Sequence, residues 1–143
     1  MSVQALDVAN YFLAIKADDE VVTNLKLQKL LYYAQGFHLV IEGEPLFRQP
    51  ICAWAHGPVV PSVWRHYGRG AAALEPKPDF DPEVIPEASR ELLDEIHEVY
   101  GQFSAWRLRE LTHQEPPWLT TEQSEVITHD KLRSYFRTRV KSA

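Results

Sequence analysis

Apolar side chains are densest between residues 23 and 43, TNLKLQKLLYYAQGFHLVIEG, and their spacing there is helical. On a wheel of about 100° per residue, Leu27, Leu30, Leu31, Ala34, Phe37, His38 and Ile41 share one broad arc. Leu25, Tyr32 and Leu39 make a second row at i, i+7 and i+14, and Tyr33 with Val40 a third. Only Lys26, Gln28, Lys29 and Gln35 are plainly polar in the middle of the stretch. A helix apolar nearly all round needs a partner on each face, which predicts a central helix wrapped by others. Thr23 and Asn24 can accept hydrogen bonds from the free N–H groups of its first turn, and Gly43 supplies a stop.

Weaker patterns flank it. Val3, Leu6, Ala9, Phe12, Leu13 and Lys16 mark a first helix over 3–16, broken by Asp18, Asp19 and Glu20. Residues 46–55 are β-compatible, with Pro50 excluding a central strand, so a small hairpin, an extended ribbon or an irregular loop is expected near 46–56. Gly57 and Pro58 read as a turn, and Pro61 opens a helix with Val63, Trp64 and Tyr67 on its apolar side, ended by Gly68 or Gly70. The proline-rich stretch 71–86 reads as surface loop. A helix over 86–101 points Ala88, Ser89, Leu92, Ile96, Val99 and Tyr100 inward and Glu87, Glu91, Asp94, Glu95 and Glu98 outward. Ser104 caps the next, to about Gln114, with Leu108, Leu111 and Thr112 inward and Trp106 paired with His113 one face over; Pro116 and Pro117 stop it. The last helix starts at Thr128, with Leu132, Phe136 and Val140 on one side and Arg133, Arg137 and Lys141 on the other. The fold class expected is mainly α: a compact bundle of about six helices around the buried helix 23–43, with the small β element near 46–56.

The totals narrow the function classes. A length of 143 residues suits one domain, 1–143. Cys52 is the sole cysteine, which excludes an internal disulfide and a cysteine-based zinc site and fits a reducing compartment. No apolar run has membrane-spanning length and the N-terminus lacks a basic-then-apolar leader, so a cytoplasmic protein with no membrane partner is expected. A net charge of −5 disfavours nucleic acid.

Candidate chemistry is sparse. His66, His97 and His129 have no second ligand at i+3 or i+4, so no metal is expected. GRGAAA at 68–73 follows a helix instead of a strand, so no phosphate loop and no cofactor are expected. His38 reads as a core histidine and Cys52, despite His56 nearby, as a small buried apolar residue. His113 and Glu115 could act as acid and base, against the reading of a histidine meeting helix C-terminal carbonyls. The acidic and basic helix faces read as solvated. Trp54, Trp64, Trp106 and Trp118, with Tyr32, Tyr33 and Tyr67, are many for this length, and such residues serve as core or as interface anchors.

Three segments, LKLQKLLYYAQGFHL (25–39), AWAHGPVVPSVWRHYGRG (53–70) and LRELTHQEPPW (108–118), together resemble the Panacea domain, the family of GepA-like phage-associated proteins and SocA-like antitoxins. The resemblance implies a mainly helical antitoxin domain, not an enzyme and without catalytic residues, neutralising by direct binding a protein toxin encoded next to it. In SocA-like members the toxin is also handed to a ClpXP-type protease. Some relatives carry an added DNA-binding domain, for which this length leaves no room. The signature positions carried over are Leu27, Gln28, Lys29, Leu30, Tyr32, Trp54, Gly57, Pro58, Val59, Tyr67, Gly68, Leu111, Thr112, His113 and Trp118. Expected partner contacts are Lys26 and Lys29 on an exposed side of the central helix, Tyr33, Trp54, His56, Gly57, Pro58 and Val59 about the turn, and the Thr112–His113 corner. The alternatives are a phage-associated protein acting on a host factor, and a small-ligand-binding or hydrolytic domain using Gln28, His56 and His113.

Overall fold

Residues 2–70 and 72–140 are described by a computed structural model. Its axis is α2, Asn24–Ile41, in which fourteen of eighteen residues are buried, as a centrally placed helix requires. The Thr23 hydroxyl accepts from the Lys26 amide at 3.3 Å, and the chain leaves the helix at Glu42, one residue before Gly43. Helix α1, Ala5–Ile15, lies against α2 through Val8, Ala9, Phe12 and Leu13. Its Tyr11 hydroxyl donates to Asp94 at 2.6 Å.

The β element lies later than expected. Strands β1, Cys52–Trp54, and β2, Gly57–Val59, pair antiparallel about a turn at Ala55 and His56, so Gly57 and Pro58 belong to a strand and not to the turn. Upstream, the Gln35 side chain takes over the backbone of 46–47, accepting from the Leu46 amide at 2.8 Å and donating to the Phe47 carbonyl at 2.6 Å. With those groups satisfied, no strand partner is needed there. On its other side β1 receives residues 124–127, with Ala53 N–H donating to Glu125 at 2.9 Å and Ile127 N–H to Ile51 at 2.8 Å.

Helix α3, Pro61–Tyr67, begins on Pro61 and ends at Gly68 as expected. Beyond it, Leu74 N–H bonds the Val22 carbonyl and a 3-10 turn forms at Pro82–Val84; Ala71, within the expected loop and the GRGAAA run, lies outside the described residues. Helix α4, Glu87–Tyr100, buries Ser89, Leu92, Leu93 and Ile96, whereas Ala88 and Val99 face outward. The inward arc centres on Leu93, which packs in the core, and this turns Ala88 and Val99 toward the solvent.

Helix α5, Ala105–His113, is capped by Ser104 and buries Leu108 and Thr112, with Leu111 half-buried. Trp106 does not pair with His113: two turns separate them on the same helix, roughly 10 Å. The His113 ring meets Trp118 instead, 4.0 Å between centroids. Trp118 arrives there because Pro116 and Pro117 open a new short helix, α6, Pro116–Leu119, as well as ending the old one. Helix α7, His129–Phe136, is capped by Thr128 and buries Leu132 and Phe136; it stops before Val140, and Lys141 lies outside the described residues. The result is mainly α, with seven helices among the described residues, two of them very short at seven and four residues, around α2. None of these described helices is long and apolar enough to cross a membrane.

Helix α7 is moored to α2 by aromatic packing. Phe136 meets Tyr32 and Phe37 edge-on, at 5.4 and 4.8 Å between centroids. Gly36 makes room for it: a Cβ there would lie 2.1 Å from the Phe136 ring. Gly36→Ala should therefore destabilise the protein, because overpacking costs about 1–3 kcal/mol against about 1 kcal/mol of helix propensity gained. Urea unfolding checks this; an unchanged or higher midpoint would show that the ring does not need the notch.

Candidate functional site

The polar residues of α2 are its connections to everything else. Asn24 donates to the carbonyls of Trp64 and Gly68, both at 3.1 Å, and accepts from Gln28 at 2.8 Å. Gln28 in turn accepts from the Val60 amide at 2.9 Å, fastening the exit of β2. Lys29 Nζ donates to the Pro58 carbonyl at 3.2 Å, and the Tyr32 and Tyr33 hydroxyls each donate to Glu115 at 2.9 Å. Lys26 Nζ donates to the Gly101 carbonyl at 2.6 Å and lies 3.2 Å from Glu20, whose other oxygen meets His97 at 2.8 Å. Burial alone would raise the Glu20 carboxyl, but the His97 hydrogen bond and the Lys26 charge outweigh it and leave it below the usual range.

Two expectations are thereby overturned. Lys26 and Lys29 do not form an exposed side of the central helix; they are 5% and 0% exposed. Each long stem crosses the core to a carbonyl left unpaired by a loop or strand end, a destination invisible to a helical wheel. Tyr33, Thr112, Gly57, Pro58 and Val59 are buried too, so they brace the corner from within. Gly57, at φ +114°, lies directly on these residues: a Cβ would stand 2.8 Å from Lys29 Cε and 3.0 Å from Thr112 Oγ1. Leu27 and Leu30 are core, Tyr67 is partly buried, and Gly68 closes α3 with its N–H on the Trp64 carbonyl.

The surface of the corner is formed by fewer residues. His56 is exposed at the hairpin turn, and Trp54 and His113 are half-buried beside it. The His113 ring nitrogens face the Arg109 carbonyl at 2.6 Å and the Ala55 carbonyl at 3.0 Å. Trp118 Nε1 donates to the Trp54 carbonyl at 2.8 Å, and Trp54 meets Trp64 edge-on. A cleft of about 170 Å³ opens between Trp54, Trp118 and Leu119.

Among the described residues, the acid–base pair His113–Glu115 and the Gln28–His56–His113 pocket are not assembled. Glu115 is bound by tyrosine hydroxyls and His113 by backbone carbonyls, so neither serves the other as acid or base. Burial raises the Glu115 carboxyl, and the tyrosine hydrogen bonds and Arg139 only partly counter it. Gln28 is fully buried with both ends of its amide bonded, while His56 points to solvent, so the two do not share a pocket with His113. Burial also raises the Cys52 thiol. His38 is the core histidine expected, between the Glu44 carbonyl at 2.7 Å and Ser89 at 2.9 Å. Among the described residues no three His, Cys, Asp or Glu side chains gather as metal ligands would.

One feature escaped sequence reasoning: Trp106 is 63% exposed, with the Arg109 guanidinium 4.9 Å from its ring centre. The i, i+3 spacing of an aromatic and an arginine on one helix was the available signal.

Lys29 gives the scaffold a pH signature. Its burial, helped by the nearby Arg109 charge, pushes the amine down to about 7. Between there and its ordinary range near 10.5, the unfolded chain binds a proton the folded chain does not, so stability rises with pH across that window. The slope should approach at most about 1.4 kcal/mol per pH unit, and Lys29→Met should flatten it. Urea unfolding from about pH 7 to 9.5 is the measurement, kept below the range where the raised buried tyrosines act in the opposite sense; an identical slope in both proteins would refute it.

Comparison with known proteins places this scaffold. The model of the antitoxin SocA-like family, Panacea domain, matches residues 27–119, from the first turn of α2 to the end of α6. Antitoxin SocA of Caulobacter vibrioides (strain NA1000 / CB15N) is 49% identical over 65 residues, covering 45% of this chain and 35% of that protein. The match thus spans about a third of that relative's length. No solved structure matches significantly. Because the matched segment holds the central helix, the hairpin and the Thr112–Trp118 corner that bind one another, the chain belongs to the SocA-like antitoxin family as a Panacea domain.

Proposed function

We propose that this chain neutralises a cognate protein toxin encoded beside it, by binding the toxin directly and covering its working surface. The observation that carries the reading is the division of labour at the hairpin corner. Most of the signature side chains are turned inward as scaffold, while His56, Trp54 and His113 remain at the surface next to Trp118 and the exposed Leu119. Half-buried tryptophans on a rigid support are the usual anchors of protein interfaces, and a standard interface of roughly 800 Å² per partner would extend well beyond them.

The test is co-expression. The adjacent reading frame, induced alone, should arrest growth, and this chain should restore it and co-purify with its product. Trp54→Ala and His56→Glu should weaken the complex, by about 2 kcal/mol for a central anchor. Toxin half-life in the same cells separates occlusion, which leaves it unchanged, from delivery to a ClpXP-type protease, which shortens it. A harmless neighbour, or one that never binds, would sink the reading.

A further inference from the structure

Helix α5 carries an arrangement that the fold itself does not use. Trp106 is the most exposed large hydrophobic residue among those described. Arg109, one turn on, stacks its guanidinium 4.9 Å from that ring, yet its Nε is shielded from water and donates to nothing among the described residues. None of the ion pairs among the described residues includes Arg109. From α2 it neighbours the Lys29 amine, so no carboxylate meets it on that side. The guanidinium thus has no anionic acceptor among the described residues.

Its position continues the surface already described. Trp106, Arg109 and His113 follow one another at i, i+3 and i+7, and His113 leads to Trp118 and the exposed Leu119. We propose that Trp106 and Arg109 anchor an acidic side chain of the partner, and that the toxin presents an aspartate or glutamate there. The carboxylate accepts from the guanidinium fork, and its methylene stem lies on the indole. A neutral segment would leave the guanidinium charge unpaired and a basic one would set a like charge against it, so acidic partners are selected. This rests on the antitoxin reading and names the chemistry of the surface it uses.

The experiment compares Trp106→Ala, Arg109→Gln and Arg109→Glu with the wild-type chain against the co-expressed product of the adjacent reading frame. Each should lower affinity by roughly tenfold or more, and Arg109→Gln should also flatten the salt dependence of binding. Trp106 is exposed, so its variant should keep the wild-type melting curve and remains informative if an Arg109 variant misfolds. An Asp-to-Arg or Glu-to-Arg change in the toxin should restore binding to Arg109→Glu. Wild-type affinity and salt dependence in both Trp106→Ala and Arg109→Gln would overturn the proposal. If the wild-type chain itself neutralises nothing, the antitoxin reading fails separately. An aspartate-rich peptide is then the probe: a change in tryptophan fluorescence lost in Trp106→Phe and Arg109→Gln supports the anchor, and an equal response in all three proteins overturns it.

Discussion

A helix enclosed on every side can offer its neighbours no backbone hydrogen bonds, because its N–H and C=O groups already bond one another along the helix. Any polar connection the surrounding chain needs must come from its side chains. In α2 the polar positions meet that need with long reach: Gln28 to the Val60 amide, Lys29 to the Pro58 carbonyl, Lys26 to the Gly101 carbonyl, Gln35 to the 46–47 backbone. A buried backbone group left without such a partner costs about 1–3 kcal/mol, so each link offsets a penalty that the loops around a central helix would otherwise incur. Lys29 is the extreme case, since its amine is held near neutrality in order to serve one carbonyl.

Legibility in the sequence followed the range of the interaction. Thr23 and Ser104 were readable as caps, and Thr128 as a helix start, because a cap and the amide that donates to it lie three residues apart, and each does accept from the amide at N3. Pro61 was readable as a first-turn residue for the same reason. The burial of Lys26 and Lys29 was not, because their partners lie 75 and 29 residues away and a wheel scores lysine as polar wherever it points. The hairpin was displaced by several residues because the deciding competitor, Gln35, sits on a different element. Residues 124–127 gave no strand signal at all; their pairing is imposed by β1.

The candidate site was half legible. The three motifs were recognisable together, and they converge: Gln28 and Lys29 hold the exit of β2, while Tyr32 and Tyr33 hold Glu115 at the α5–α6 corner. What the motifs did not disclose is that most of them face inward. Leu27, Gln28, Lys29, Leu30, Tyr32, Gly57, Pro58, Val59 and Thr112 are buried bracing, while Trp54, His113 and Trp118 reach the surface of the corner. Trp106 and Arg109 lie on that outer side.

The notch at Gly36 bears on how the chain comes apart. Helix α7 packs on α2 more extensively than any other element does: Phe136 fills the notch among Tyr32, Tyr33 and Phe37, Leu132 and Ile127 are core, and residues 124–127 line β1. Elements packed this closely on the core open with the cooperative unfolding of the whole and not ahead of it. The same packing covers Tyr32 and Tyr33 where they hold Glu115, and lines one edge of β1. A side chain that filled the notch would therefore be felt at Glu115 and along β1, and not at Phe136 alone.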